Sequence, residues 1–198
     1  MEPVFFGSRD EFRSWLQGNH ASADAIILGL YKKASGRTGI SYLEAVEEAL
    51  CFGWIDGIGR SIDSAASAQR FTPRRPRSIW SLVNVKRFEE LEAAGKMTPA
   101  GRAAFEARTP ERTGIYSGEQ GDIELPAEAL VALRANEAAW AFWEKAPKSY
   151  RKPATWWVIS AKKPETRERR LAQLIEHSAA GERVPPLRPR VADHGSQP

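Results

Sequence analysis

Between Thr109 and Pro126 the chain loses its apolar periodicity: the segment holds three glycines, two prolines and few large apolar side chains. This break constrains the fold more than any other feature, because the patterning differs on its two sides. Upstream, helical and strand patterns alternate; downstream, only the helical period remains. The organisation expected is an α+β domain with a short antiparallel sheet at residues 1–108, a linker at 109–126, and an all-helical domain at 127–184. A tail at 185–198, with prolines and no periodicity, is expected to be disordered.

Local signals place the elements. Ser8-Arg9-Asp10-Glu11 reads as a capping box opening a helix whose Phe12, Trp15 and Leu16 share a face, with Gly18 as its stop. The apolar run 25–33 reads as a strand. Ser41-Tyr42-Leu43-Glu44 is a second capping box, and its helix stops at Gly53. Residues 54–63 and 68–72 read as a hairpin, with Pro73 and Pro76 ending the second strand or confining it to an edge. Ser81 to Ala94 reads as a helix ended by Gly95, and Thr98-Pro99 opens another. In the second half, 127–134, a segment capped by Asn136, one capped by Ser149, and one starting at Pro164 all carry the helical period.

Composition excludes several classes. One cysteine, Cys51, allows no intramolecular disulfide and no cysteine-cluster metal site, and its apolar neighbours suggest a buried thiol. His20, His177 and His194 are scattered without metal-ligand spacing, so no cofactor or metal is expected. The N-terminus has an acid where a secretory leader carries its basic region, and the longest apolar run is too short to span a bilayer. A soluble, cytoplasmic protein is expected. Twenty-nine basic residues stand against 25 acidic ones, so the net charge of +4 matters only where it clusters.

It clusters in one place. From Arg70 to Arg87 there are six basic residues and no acid, with Phe71 and Trp80 interleaved and the backbone restricted by Pro73 and Pro76. Guanidinium groups offer a planar fork of donors to phosphate or carboxylate. Asp56, Arg70, Arg74, Arg75, Arg77, Trp80 and Asn84 are therefore the candidate ligand-binding residues. Asp56 and Asp63 are the nearest approach to a carboxylate pair, but a strand would turn them to opposite faces unless it bulges at Gly57 or Gly59. Their plainer role is pairing with Arg60, Arg70 or Arg74. No nucleophile–base arrangement or dinucleotide loop stands out, so no catalytic residue is assigned and the chain reads as a binding protein more than an enzyme. The charge-dense stretch 162–170 interleaves Glu165 and Glu168 with its bases and reads as a solvated helix face.

Several segments also resemble a known family. Residues 47–57 (Glu-Glu-Ala-Leu-Cys-Phe-Gly-Trp-Ile-Asp-Gly), Phe71-Thr72-Pro73-Arg74-Arg75, Ser78-Ile79-Trp80-Ser81 with Asn84, residues 95–101 and residues 160–170 together are similar to the YdeI/OmpD-associated, bacteriocin-protection-type proteins. The similarity extends over nearly the whole chain except the tail. It implies a link to bacteriocin or antimicrobial-peptide tolerance, with no established reaction or cofactor and no catalytic residues to carry over. Three readings follow. The first is a non-enzymatic protein gripping an anionic small molecule or acidic protein surface with its basic aromatic segment. The second is a nucleic-acid-binding module, which lacks a recognisable reader motif. The third is an uncharacterised enzyme or metal handler, which would need an acidic ridge.

Overall fold

The computed structural model describes residues 1–189, and Arg190 to Pro198 lie outside it, with them His194 and most of the tail expected to be disordered. The described residues form two compact units, divided between Ile115 and Tyr116. The architecture is mixed α+β, with the sheet in the first unit and helices alone in the second.

In the first unit, β1 (Val4–Phe5), β2 (Ile26–Tyr31), β3 (Trp54–Ser61) and β4 (Ala66–Pro73) form one sheet in the order β1-β2-β4-β3. The β3–β4 hairpin and the β2–β4 pair are antiparallel. The two-residue β1 pairs parallel to β2 and makes the sheet mixed, a strand too short to leave a periodic signal. Since β4 is internal, Pro73 is not confining it to an edge. It stands at the strand's last position, where little ladder remains to donate to. Every second residue of β2 (Ile26, Leu28, Leu30) is buried, the period of a strand with one face on a core.

Helices α1 (Arg9–Asn19), α2 (Tyr42–Cys51), α3 (Leu82–Ala93) and α4 (Pro99–Glu106) complete the unit. Ser41 and Glu44 form the full capping box at α2. At α1 the Ser8 hydroxyl accepts from the Glu11 amide, but Glu11 reaches past the cap to the Gly7 amide at 2.7 Å. Gly18 stays helical, because His20 closes α1 with its amide on the Leu16 carbonyl. Phe12, Leu16, Leu28, Leu50, Trp54, Phe71 and Trp80 are fully buried in one core, and Cys51 is buried beside them. Burial pushes the Cys51 thiol pKa up, so the thiol is chemically quiet.

One acid departs from its sequence reading. The helical period suggests that Glu48 lies on an exposed face, yet it is 1% exposed. It accepts from the Arg9 guanidinium and, at 2.6 Å, from Arg13, while Arg9 also pairs with Glu47 at 2.9 Å. Arg13 donates further to the Lys96 carbonyl at 2.8 Å. A buried carboxylate is tolerated only when paired, and two arginines of α1 supply the pairing.

The second unit packs α5 (Ala127–Arg134), α6 (Glu137–Lys145), α7 (Lys148–Ile159) and α8 (Pro164–Ala179) around Leu133, Trp143, Tyr150, Val158 and Leu174. Asn136 caps α6, accepting from the Ala139 amide. Ser149 does not cap α7; the helix begins at Lys148, after Pro147. Arg167 and Arg170 leave the charge-dense stretch to donate to the Ala161 and Trp157 carbonyls at the end of α7, where the helix dipole favours cations. Val184 is fully buried, its amide on the Tyr150 hydroxyl, and Pro185–Leu187 forms a 3-10 turn.

Candidate functional site

The basic segment becomes a loop pinned at both ends. At its start the Arg74 amide donates to the Gly53 carbonyl at 2.9 Å. At its end Trp80 bridges to Thr113, its amide on the Arg112 carbonyl and its carbonyl accepting from Gly114. Trp80 is 1% exposed and packs edge-on against Phe105, 5.2 Å between centroids. The Arg74 guanidinium lies 3.7 Å over the Trp80 ring and donates from Nη1 to the Ile79 carbonyl at 3.2 Å. Arg74 is thus partly a structural side chain, a cation held on an aromatic face.

Between these anchors Arg75-Pro76-Arg77-Ser78 makes a tight turn, closed by the Ser78 amide on the Arg75 carbonyl at 3.0 Å. Proline at its second position fixes φ near −65°, which suits types I and II alike, and type II is the one with a left-handed residue at its third position. Arg77 occupies it with φ of 61°, the only non-glycine among the described residues with positive φ. Arg75 and Arg77 are exposed, and among the described residues neither has an acidic partner.

This loop covers one side of a cleft of about 410 Å³. The α2–β3 junction contributes Phe52, Gly53 and Trp54, the end of α1 contributes His20 and Ala21, and α4 contributes Ala100, Ala104 and Ala107. Two glycines let these parts meet. A Cβ on Gly101 would lie 2.2 Å from the Cys51 carbonyl oxygen, so only glycine lets α4 rest on the end of α2. Gly53 reverses the chain after α2 with φ of 74°. Thr98 ties the contact, its hydroxyl and amide both donating to that same Cys51 carbonyl, at 2.6 and 3.2 Å. The Trp54 indole donates to the His20 carbonyl at 3.2 Å and buries its ring. The His20 Nδ1 sits 2.9 Å from the Leu16 carbonyl, which can only accept, so Nδ1 carries a proton.

Arg74, Arg75, Arg77 and Trp80 therefore share the cleft. Arg70, Asp56 and Asn84 do not line it. Arg70 is exposed on β4, opposite Ile27 across the ladder. Asn84 lies in the first turn of α3, where its amide donates to the Ser81 cap and its side-chain oxygen accepts from Arg87. Asp56 accepts from the Tyr42 hydroxyl at 2.7 Å, and burial, reinforced by this carboxylate, pushes the Tyr42 pKa up to about 12. The β3 bulge does occur, between Asp56 and Gly59, but Asp63 ends up in the hairpin turn. There it accepts from the Ala65 and Ala66 amides at 2.7 Å each, bonds that lower its pKa. The two aspartates thus serve a tyrosine and a turn rather than one acid–base site.

His20, Phe52 and the α4 alanines are site residues that sequence reasoning missed. The alanines carried a signal, because positions 100, 104 and 107 recur at helical spacing with small side chains only. Among the described residues no group of three or more His, Cys, Asp or Glu side chains is placed to hold a metal ion, and no helix is long and apolar enough to cross a membrane.

The fold is an α+β unit with a cleft that three arginines help to line, followed by a helical unit. Residues 4–104, just over half the chain and all of the cleft except Ala107, match the family model for a domain of unknown function, DUF8412, and the chain belongs to that family. Residues 122–181 match the family model described as bacteriocin-protection, YdeI or OmpD-associated, so the helical unit carries that domain. The YdeI/OmpD-associated resemblance is thus supported over the helical part, while the first unit belongs to the other family. No curated protein and no solved structure matches the chain.

Proposed function

We propose that the first unit binds an anionic ligand in the cleft between the Arg74–Trp80 loop and α4, and that the protein acts by binding rather than by catalysis. The observation that carries this reading is the charge of the lining: three arginines, with no acidic residue among the described lining positions. Exposed arginines without an acidic partner keep their donors available. The low-dielectric floor of Trp54, Phe52 and alanine strengthens any charge-assisted bond made above it. Through its YdeI/OmpD-associated domain the protein takes a place in bacteriocin or antimicrobial-peptide tolerance, in the cytoplasm. In that role anion binding is the molecular event and the helical unit is the family-specific partner module.

The test is calorimetric titration of the full chain with inorganic phosphate and with heparin at two salt concentrations, beside the Arg75→Ala/Arg77→Ala double variant. Arg75 and Arg77 are the right pair because Arg74 also supports Trp80. Binding that weakens about tenfold or more in the variant, with a shallower salt dependence, is the expected outcome. Equal binding by both proteins overturns the site. Strong heparin binding with a steep salt slope, unchanged in the variant and matched by a single-stranded oligonucleotide titrated the same way, would place the nucleic-acid reading ahead and the cleft out of it.

A further inference from the structure

We propose that the ligand of this cleft is a small molecule with one compact anionic head, phosphate or carboxylate, on a ring-sized apolar body, and that Arg77 is the residue that reads the head. The inference rests on the anion-binding reading above and narrows it to a ligand class.

The head is placed by the turn. A position that needs φ of 61° is one that glycine fills without strain, and the chain puts arginine there. Backbone outliers of this kind persist only where the surroundings hold them, and they concentrate at ligand clamps. The surroundings here do hold it: the Arg74 amide on Gly53 and the Trp80 bridge to Thr113 fix both ends of the loop. Pro76 fixes the residue before it. The result is a fixed backbone that holds Arg77 in the cleft lining beside the exposed Arg75, so little backbone entropy remains to be lost on binding. A structural role for Arg77 has little support, since it is exposed and has no acidic partner among the described residues.

The body is placed by α4. Ala100, Ala104 and Ala107 are methyl-only positions along one stripe of the helix, and with Phe52 and Trp54 they form an apolar part of the lining, beside the polar Ser78 and His20. A site for a bare inorganic anion needs no such surface, and a polyanion would lie along a ledge rather than enter a cleft of about 410 Å³. That volume falls in the range of roughly 300–1,000 Å³ usual for small-molecule sites. An apolar body bearing one anionic group suits both the arginines and the alanine stripe; a sugar phosphate would bury hydroxyls against alanine, with Ser78 and His20 the polar side chains besides the arginines to meet them.

The experiment titrates the full chain with phenyl phosphate against inorganic phosphate and glycerol phosphate, and with benzoate against acetate. The ring-bearing member of at least one set should bind about tenfold or more tightly than its companions, as burial of a ring in an apolar site requires. Arg77→Ala should weaken that binding about tenfold. Arg77→Gly should weaken it equally while the melting temperature holds or rises, a pairing that a merely structural arginine would not give. Ala104→Leu should bring the ring-bearing ligand down to the level of its companion. Ala107→Leu, at an exposed position, replaces it if the first variant fails to fold. Equal affinities within each set overturn the ligand class while leaving anion binding intact. Full affinity in both Arg77 variants overturns the role of Arg77. No binding of any of these anions overturns both this inference and the reading beneath it.

Discussion

At the scale of single residues, the arginines of one run divide by what they touch. Arg74 is half-buried, 3.7 Å over Trp80 and bonded to the Ile79 carbonyl, whereas Arg75 is exposed. Arg74→Ala should therefore cost about 1–3 kcal/mol, from the lost cation–π contact and stem packing. Arg75→Ala should stay within about 0.5 kcal/mol of the parent. Urea denaturation of the two variants checks this, and equal stabilities would mean that Arg74 does not support Trp80. Tyr42 gives a second residue-scale expectation. Its pKa is raised from 10 to about 12, first by burial and then by the bond to Asp56. A phenol that keeps its proton longer when folded contributes stability that is complete below pH 10 and is lost as pH rises toward about 12. Phenolate absorbance should show a step near pH 12 that Tyr42→Phe removes and that Asp56→Asn moves only part of the way back toward 10. A Tyr42 step near 10 in the parent would contradict the bond of the phenol to Asp56.

At the scale of elements, the junction of α2 with α4 sets the cleft. Its signal in the sequence is a set of small residues, and its cause is distance: the Gly101 Cα approaches the Cys51 carbonyl more closely than any side chain permits. Gly101→Ala should cost about 2–4 kcal/mol, because the obstacle on one side is backbone and cannot rotate away. Circular dichroism melts measure the loss, and a variant melting with the parent would mean that α4 does not rest on α2. The same junction shows what was legible locally. Ser41, Thr98, Asn136 and the glycine stops at Gly53 and Gly95 were readable because a cap acts within one turn of its own residue. Gly18 and Ser149 carried the same signals and did not serve. At Gly18 the helix ran on through Asn19 to its cap at His20, and at Pro147 a proline set the start first.

At the scale of the whole molecule, the chain carries two separate cores, one around Trp54 and Phe71 and one around Trp143 and Leu174. Trp54→Ala empties the first core and should cost that unit about 3–5 kcal/mol. Limited proteolysis of this variant should degrade residues 1–108 while a fragment containing 127–184 survives. In the parent the first cut should fall within 109–126 or after 185. Initial cleavage within 54–81, or simultaneous loss of both parts in the variant, would contradict the division into a sheet-bearing and a helical domain.

What the sequence determined by itself is what neighbouring residues decide: the caps, the strand and helix periods, the mixed α+β class, and the concentration of charge between Arg70 and Arg87. Tertiary structure decided which of those charges work together. Arg70 and Arg74 are four residues apart in one basic run, yet β4 leaves Arg70 exposed on the sheet while the chain leaving the strand carries Arg74 onto Trp80. Glu48 has the helical period of a surface acid, but its partners Arg9 and Arg13 are 39 and 35 residues away. His20, Phe52 and Ala104 reach one cleft from three different elements. Charge clustering is a property of the chain, but a site is a property of distances, and distances between remote residues exist only once the core has packed.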